Sequence, residues 1–364
     1  MAATLLGSAL TCVSAGYAMT AAVLTRRAHT RVAPLAQSGE LRVSVLKPLC
    51  GAETRLYDNL ATLCRQSVTG QQLVCGVRDP EDPAIAVVQR LQQDFPDTDI
   101  TLVIDPRVHG TNLKVSNLIN LAEQARHDWL VVADSDIAVP PDYLARVTAP
   151  LADPGVGIVT CLYRGRPVDA FWARLGAQFI DDWFAPSVRM AHAGGSRRFA
   201  FGATIALRRD TLTRIGGFAS LSDRLADDFW LGELTRQAGL RTVLSDVEVT
   251  TDVTETRLPE LWMHELRWLR TIRSLNPAGF AFTFITFTWP MLALGVALSP
   301  AAWMVAIAVA GILARSALAG TAAAALRAPL RDVLLLVGWA AALGGQRVRW
   351  RQQVLSVQDP GMTR

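Results

Sequence analysis

Lysine is nearly missing from this 364-residue chain: Lys and Arg together number 36, and only Lys47 and Lys114 are lysines. The imbalance reads as base composition more than as chemistry. A net charge of +4 is too small to mark a nucleic-acid partner. Cysteine is sparse and unpaired. Cys12, Cys50, Cys64, Cys75 and Cys161 are odd in number and form no CxxC pair, which argues against a zinc site or a disulfide framework and suits a reducing compartment. Internal repeats and low-complexity linkers are also lacking, so the length bounds the chain to one large or two ordinary domains.

Charge is absent from Ala2 to Leu24, a run long enough for a helix to cross a bilayer core. No positive charge precedes the run, as a secretory signal would require, and Arg26, Arg27 and Arg31 follow it. The expectation is an uncleaved anchor over 1–25 and a tether over 26–40, with the following domain on the cytoplasmic side. From Asn276 to Leu326 the only charged residue is Arg315. Pro300 divides this stretch into two candidate spans, 280–298 and 301–322, within C-terminal membrane segments over 278–346. Arg327 and Arg331 are expected on the cytoplasmic side, and Val333 to Gly345 is short for a span and reads as re-entrant or interfacial. Arg315 inside a span marks either a functional position or a shallow helix. A basic tail over 347–364 follows.

The middle, 41–256, alternates apolar strand candidates (42–46, 73–77, 100–104, 129–133, 156–162) with helical patterns near 53–65, 82–94 and 112–126. This predicts an α/β fold: a mostly parallel sheet with helices on both faces. The sequence WLVVADSD (129–136) ends one buried strand with Asp134 and Asp136. Ligands bind at that edge of such sheets. If the backbone stays extended, two carboxylates on one side suit Mg²⁺ or Mn²⁺; if it turns, aspartates are ordinary turn residues. Asp79 and Asp82, after strand 73–77, read either as base- or ribose-binding acids or as a Pro-rich turn. Lys114 falls in the first turn of a helix starting at Thr111 or Asn112, where a cation is disfavoured unless an anion shares the site. Asp227 and Asp228 open a helix near 227–238, as caps or with one of them as a general base. Residues 258–275 form a basic amphipathic helix carrying His264, Arg267, Trp268, Arg270 and Arg273, within an interfacial segment over 257–277. Its stripe suits lipid headgroups, a leaving diphosphate, or both.

Together these pieces, over residues 41 to about 275, resemble the ceramide glucosyltransferase family (glycosyltransferase family 21), and within it the bacterial hopanoid biosynthesis-associated glycosyltransferases. VSVLKPLCG, with Pro48, looks like the family's first strand, and VRDPEDPAI its first acid region, with Asp82 in the motif position and Asp79 nearby. VHGTNLKVSNL matches the donor-side segment at Gly110, Asn112, Lys114 and Asn117, and VVADSDI the second acid motif at Asp134, completed to Asp-x-Asp by Asp136. LADDFWLG places Asp228 as the base, and HELRW resembles the (Gln/Arg)-x-x-Arg-Trp motif through His264, Arg267 and Trp268. The chain departs from the pattern at His264, and at Ala185, where the sphingolipid branch has a histidine. The resemblance implies a nucleotide-diphosphosugar transferase fold of the GT-A type and inverting transfer from a UDP-sugar to a membrane lipid, with a divalent metal, Mg²⁺ or Mn²⁺, on Asp134 and Asp136. It implies donor binding by Pro48, Asp79, Asp82, Asn112, Lys114 and Asp134, and catalysis by Asp228, His264, Arg267 and Trp268. It places the chain in a bacterial inner membrane and favours N-acetylglucosamine transfer to a hopanoid such as bacteriohopanetetrol over glucose transfer to ceramide. A processive polysaccharide synthase and a membrane-anchored sugar-nucleotide binding protein are the competing expectations.

Overall fold

The structure, a computed structural model, describes residues 1–30, 39–345, 347–350 and 353–356. Residues 31–38 of the expected tether, and 351–352 and 357–364 of the expected tail, lie outside the described residues. The chain divides into two units. One comprises Val32–Arg164 and Ser196–Asp252; the other comprises Met1–Arg31, Gly165–Gly195 and Val253–Arg364.

The first unit is built on an eight-stranded sheet: β1 (Val43–Pro48), β2 (Gln72–Val77), β3 (Asp99–Ile104), β4 (Trp129–Val132), β5 (Ile137–Ala138), β6 (Val156–Pro167), β7 (Ile205–Arg208) and β8 (Arg241–Val253). Their order is β3-β2-β1-β4-β7-β6-β8-β5. β3, β2, β1 and β4 run parallel, as the alternation with helices Leu56–Cys64, Ala84–Asp94 and Leu113–Gln124 predicts. The other half differs from the expected mostly parallel sheet: β7 is antiparallel to both β4 and β6, and β5 is antiparallel to β8. A strand buried on both faces has the same apolar run in either direction, so composition carries no sign of strand orientation.

Side-chain alternation splits the core in two. Val43 and Val45 of β1, Leu73 and Cys75 of β2 and Val131 of β4 face one apolar layer with Leu56, Leu60, Val88 and Leu91. Leu46, Val74, Leu130 and Val132 face the other, with Val115, Leu118 and Leu121. With both faces covered, ligands have access to the parallel strands only at their ends.

The second unit is helical. Helix Ala2–Thr30 is long and apolar enough over Ala2–Ala28 to cross a membrane. It runs close to helix Thr288–Leu298 at Gly295, where an added Cβ would lie 2.3 Å from Thr11 Oγ1 and 2.9 Å from the Gly7 carbonyl. Small residues permit such contact where lipid removes the hydrophobic drive to associate. The first C-terminal candidate span is broken: Pro277–Thr286 and Thr288–Leu298 meet at a 71° bend. The second is helix Ala302–Leu318, which meets helix Ala322–Leu343 at 116°. The short piece Val333 to Gly345 is mostly the second half of that 22-residue helix, which carries Pro329 inside it.

Arg315 is 3 % exposed and held by two carboxylates. Its guanidinium donates to Asp182 Oδ2 at 3.0 Å and to Asp332 Oδ1 at 2.9 Å. Asp182 sits in the single π turn Ile180–Phe184, which links helices Phe171–Phe179 and Ala185–Ala193. Pro186 follows that turn and has no N–H for the Asp182 carbonyl, which favours the irregularity. Arg331 is 0 % exposed and forks onto Glu265 at 2.7 and 2.5 Å. It is thus an interior partner of helix Leu258–Leu275, not a loop arginine marking a membrane face. Removing one partner of a buried pair strands the other's charge. Arg315→Leu, which leaves two buried carboxylates facing each other, is expected to lower stability by about 3–5 kcal/mol. Thermal unfolding of the detergent-solubilised protein checks this, and an unchanged midpoint would rule out a structural role for the triad.

Candidate active site

The site forms in the sheet-bearing unit, where β1 and β4 end side by side. β4 stops at Val132, and residues 135–136 form a turn before β5. The extended backbone that would have aligned Asp134 and Asp136 is therefore absent, and the turn brings them together instead. Asp136 Oδ2 accepts from Thr251 Oγ1 at 2.6 Å, and Asp252 N–H donates to the Asp136 carbonyl at 3.2 Å. Burial first and the Asp134 charge second push the Asp136 carboxyl above its usual range, to about 6.

Lys114 enters from helix Leu113–Gln124. Asn112 caps that helix: its Oδ1 accepts the N–H of Lys114 at 3.0 Å and of Val115 at 3.1 Å. Its Nδ2 donates to the Arg224 carbonyl at 2.8 Å and to Asp227 Oδ1 at 3.3 Å, tying the cap to the loop that precedes helix Asp227–Gln237. The anion expected beside Lys114 is supplied by the chain itself. Lys114 Nζ lies 2.6 Å from Asp134 Oδ1 and 3.4 Å from Asp227 Oδ2. Burial opposes its charge, but Asp134, Asp227 and Asp228 outweigh burial and hold the ammonium well above ordinary lysine.

Asp227 and Asp228 open their helix after the N-cap residue Ala226, which has no side-chain cap, and Asp228 Oδ1 accepts the Phe229 N–H of the first turn at 2.7 Å. Asp228 Oδ2 accepts the Gly202 N–H at 3.0 Å. Burial, reinforced by Asp227 and opposed by Lys114, raises the Asp228 carboxyl to about 6. Gly202 is where the two acidic segments and Lys114 meet. A Cβ there would sit 2.9 Å from Asp134 Oδ2 and 3.2 Å from Lys114 Nζ. Only glycine fits without moving the pair.

The other donor-side residues lie at neighbouring strand ends. Pro48 closes β1. Asp82 accepts the Gly51 N–H with both oxygens at 3.0 Å and the Ala84 N–H at 2.8 Å, so it anchors the loop after β1. Asp79 is exposed and accepts the Glu81 N–H at 2.9 Å, as a turn residue does. Asn117 is buried and donates to the Gly76 carbonyl at the end of β2, 2.7 Å away.

His264, Arg267 and Trp268 belong to the helical unit, on helix Leu258–Leu275. His264 Nδ1 pairs with Glu255, and Trp268 meets the rings of Phe179 and His264 edge-on at 5.5 and 5.1 Å. Burial pushes the Glu255 carboxyl up, but the His264 hydrogen bond and charge, with backbone N–H donors, together outweigh it and the carboxyl lies below its usual range.

The donor set fits a hard divalent cation. Asp134 Oδ1 is engaged by Lys114 and Asp136 Oδ2 by Thr251, and among the described residues nothing donates to the second oxygen of either carboxylate. No group of three or more His, Cys, Asp or Glu among the described residues makes a complete metal cage. That suits a cation which keeps water and completes its shell with substrate phosphate.

Reading residues alone missed Lys47 and Gly202. Lys47 is fully buried, and its Nζ donates to the Asp134 carbonyl. Both lysines of the chain thus reach one aspartate, and their scarcity was the available signal. Gly202 lies in the aromatic- and Gly-containing piece FAFGATIAL, which carries no local signal, because its requirement comes from segments distant in sequence.

The family model described as Glycosyl transferase family 21 matches residues 6–363. Among relatives, ceramide glucosyltransferase 3 of Caenorhabditis elegans is 22 % identical over 239 residues, covering 65 % of this chain and 51 % of its own length. The ceramide glucosyltransferase of Gibberella zeae is 29 % identical over 126 residues, covering 32 % of this chain and 24 % of its own. The chain thus spans about half the length of the first, and less of the second. Among solved structures, the mannosyltransferase PcManGT of Pyrobaculum calidifontis, in complex with GDP-Man and Mn²⁺, superposes with a TM-score of 0.54 at 22 % identity, over 94 % of this chain and 97 % of that one. That likeness establishes the fold as the GT-A glycosyltransferase type. With a match across nearly its whole length, the chain belongs to glycosyl transferase family 21.

Proposed function

We propose that the chain is a membrane-bound, inverting glycosyltransferase that moves a sugar from a UDP-sugar to a hydroxyl of a membrane lipid. The observation that carries this reading is the placement of Lys114 between Asp134 and Asp227, with Asp228 beside them. A cation set among acids at the end of a parallel sheet is suited to a diphosphate ester that arrives with its own cation. Transfer passes through an oxocarbenium-like state in which negative charge grows on the departing diphosphate. A divalent cation bound by Asp134 and Asp136 supplies neutralisation of that charge. Lys114 is then free to exchange a carboxylate for a phosphate oxygen. Asp228 takes the proton of the lipid hydroxyl as that oxygen attacks the anomeric carbon opposite the leaving group, so one displacement inverts the centre. Asn112 and Gly202 keep Lys114 and Asp134 in register. His264, Arg267 and Trp268 enter the proposal through their sequence motif, His264 and Arg267 as diphosphate partners.

The chain's site in this reading is a bacterial inner membrane, crossed by the N-terminal helix and by the C-terminal segments, with 41–256 on the cytoplasmic side. The finer assignment is N-acetylglucosamine to a hopanoid such as bacteriohopanetetrol. The names of the relatives favour a second one, glucose to ceramide. Incubating the full chain with UDP-N-acetylglucosamine or UDP-glucose and lipid extract, followed by mass spectrometry, separates them. A lipid-linked monosaccharide is expected; a long polymer or no product would overturn the reading.

Two substitutions test the chemistry. Asp228→Asn is expected to keep UDP-sugar binding and lower turnover about 10²–10⁴-fold. A base works only when ionised, and burial raises this one to about 6. The wild-type rate should therefore be flat above that pH and fall about tenfold per unit below it. Because Asp136 is raised to the same range, the limb is assigned by comparison with Asp228→Asn, and a limb that persists unchanged in that variant's residual activity would remove Asp228 from the role. Gly202→Ala meets only side-chain ends, Asp134 Oδ2 and Lys114 Nζ, so folding should survive. Activity should fall about 10–100-fold as the pair is displaced. Unchanged activity in the folded variant would show that the close approach is not required.

A further inference from the structure

Lys47 takes no part in the chemistry outlined above, yet its position is costly. Its side chain is 0 % exposed and lies two residues beyond Val45, on the side of β1 that Val43 and Val45 give to the apolar core. An ammonium there is strongly disfavoured unless it is paired and hydrogen-bonded. Its hydrogen bond runs from Nζ to the backbone carbonyl of Asp134. Burial pulls the ammonium below the ordinary lysine value, and the carboxylates of Asp136, Asp134 and Glu53, acting through space, oppose that only in part. The ladder between β1 and β4 ends at this point. β1 and β4 pair in register up to Leu46 and Val132, and the Ala133 N–H still reaches the Leu46 carbonyl at 3.3 Å. Pro48 has no N–H, so the backbone of β1 cannot donate there to the chain leaving β4. One residue beyond Leu46, the Lys47 side chain donates to the Asp134 carbonyl, which also accepts the Ile137 N–H of the turn at 3.4 Å.

We propose that Lys47 is a positioning residue for the Asp134–Asp136 pair: by fixing the Asp134 carbonyl it sets the turn that presents both carboxylates to one divalent cation. The proposal rests on the reading of Asp134 and Asp136 as cation ligands. It also accounts for the residue type in a chain whose only other lysine is Lys114. A compact ammonium on a flexible stem fits a single buried carbonyl, whereas a planar guanidinium fork demands more acceptors and more room.

A positioning role and a plain charge-balancing role predict opposite outcomes. Deleting a buried positive charge beside two carboxylates strengthens the binding of another cation by simple electrostatics. Loosening the support of a metal ligand weakens it, typically by about 10–100-fold. The test titrates the full-length protein in detergent with Mn²⁺, alone and in the presence of UDP, reading free Mn²⁺ by electron paramagnetic resonance, for wild type, Lys47→Met and Lys47→Gln. Tryptophan fluorescence and thermal unfolding report whether each variant is folded. Lys47→Met should bind Mn²⁺ about 10–100-fold more weakly than wild type. Lys47→Gln, which keeps an N–H donor without the charge, should lose less. Equal or tighter binding by a folded Lys47→Met overturns the proposal and leaves the cation reading intact. Absence of Mn²⁺ binding by wild type, both alone and in the presence of UDP, removes the cation reading, and the proposal with it. If neither variant folds, Lys47 is a folding determinant and the positioning role is overturned.

Discussion

One ammonium surrounded by carboxylates organises the sheet edge. Lys114 faces Asp134 at 2.6 Å and Asp227 at 3.4 Å, and feels Asp228 as well. Without it, acidic side chains from the β4 turn and from helix Asp227–Gln237 would repel one another in a half-buried space, where screening is weak. The arrangement around Lys114 makes sense as support for that cation. Asn112 fixes the first helical turn that carries it, and Gly202 leaves it room. A cation held by exchangeable carboxylates is also prepared for a phosphate, and that links the packing of this edge to the proposed transfer.

Three fully interior cations show how buried charge is held in both units, each against its own acceptor. Arg315 is matched to Asp182 and Asp332, Arg331 to Glu265, and Lys47 to a backbone carbonyl. Breaking such pairs costs far more than their formation contributes, because the surviving partner keeps its desolvation penalty. They therefore specify which segments meet more than they add stability. The choice of cation follows its acceptor. The arginines fork onto carboxylates, while the fully buried lysine meets a single carbonyl.

Much of this was readable in the chain. The apolar run before Asp134 marks a buried strand, Asn112 marks the start of a helix with Lys114 in its first turn, and helix Leu258–Leu275 declares itself by its periodicity. Local signals of this kind act over a few residues. Illegible features depend on contacts across long separations. The partner of Arg315 is 133 residues away, and Gly202 is required only because Lys114 and Asp134 approach it. Strand direction in the β7, β6, β8 half is equally silent, since neither an apolar run nor an alternating pattern changes when a strand is reversed.

Composition and spacing settled the element types, the apolar terminal segments and the identity of the acidic positions, because backbone propensity and side-chain period are local properties of the chain. Folding alone decided how those acids share their charges. It replaced the extended geometry at Asp134 and Asp136 with a turn, drew both scarce lysines to that turn, and gave the interior arginines their carboxylates. Electrostatic pairing depends on distance and burial in three dimensions, and neither is written in the order of residues.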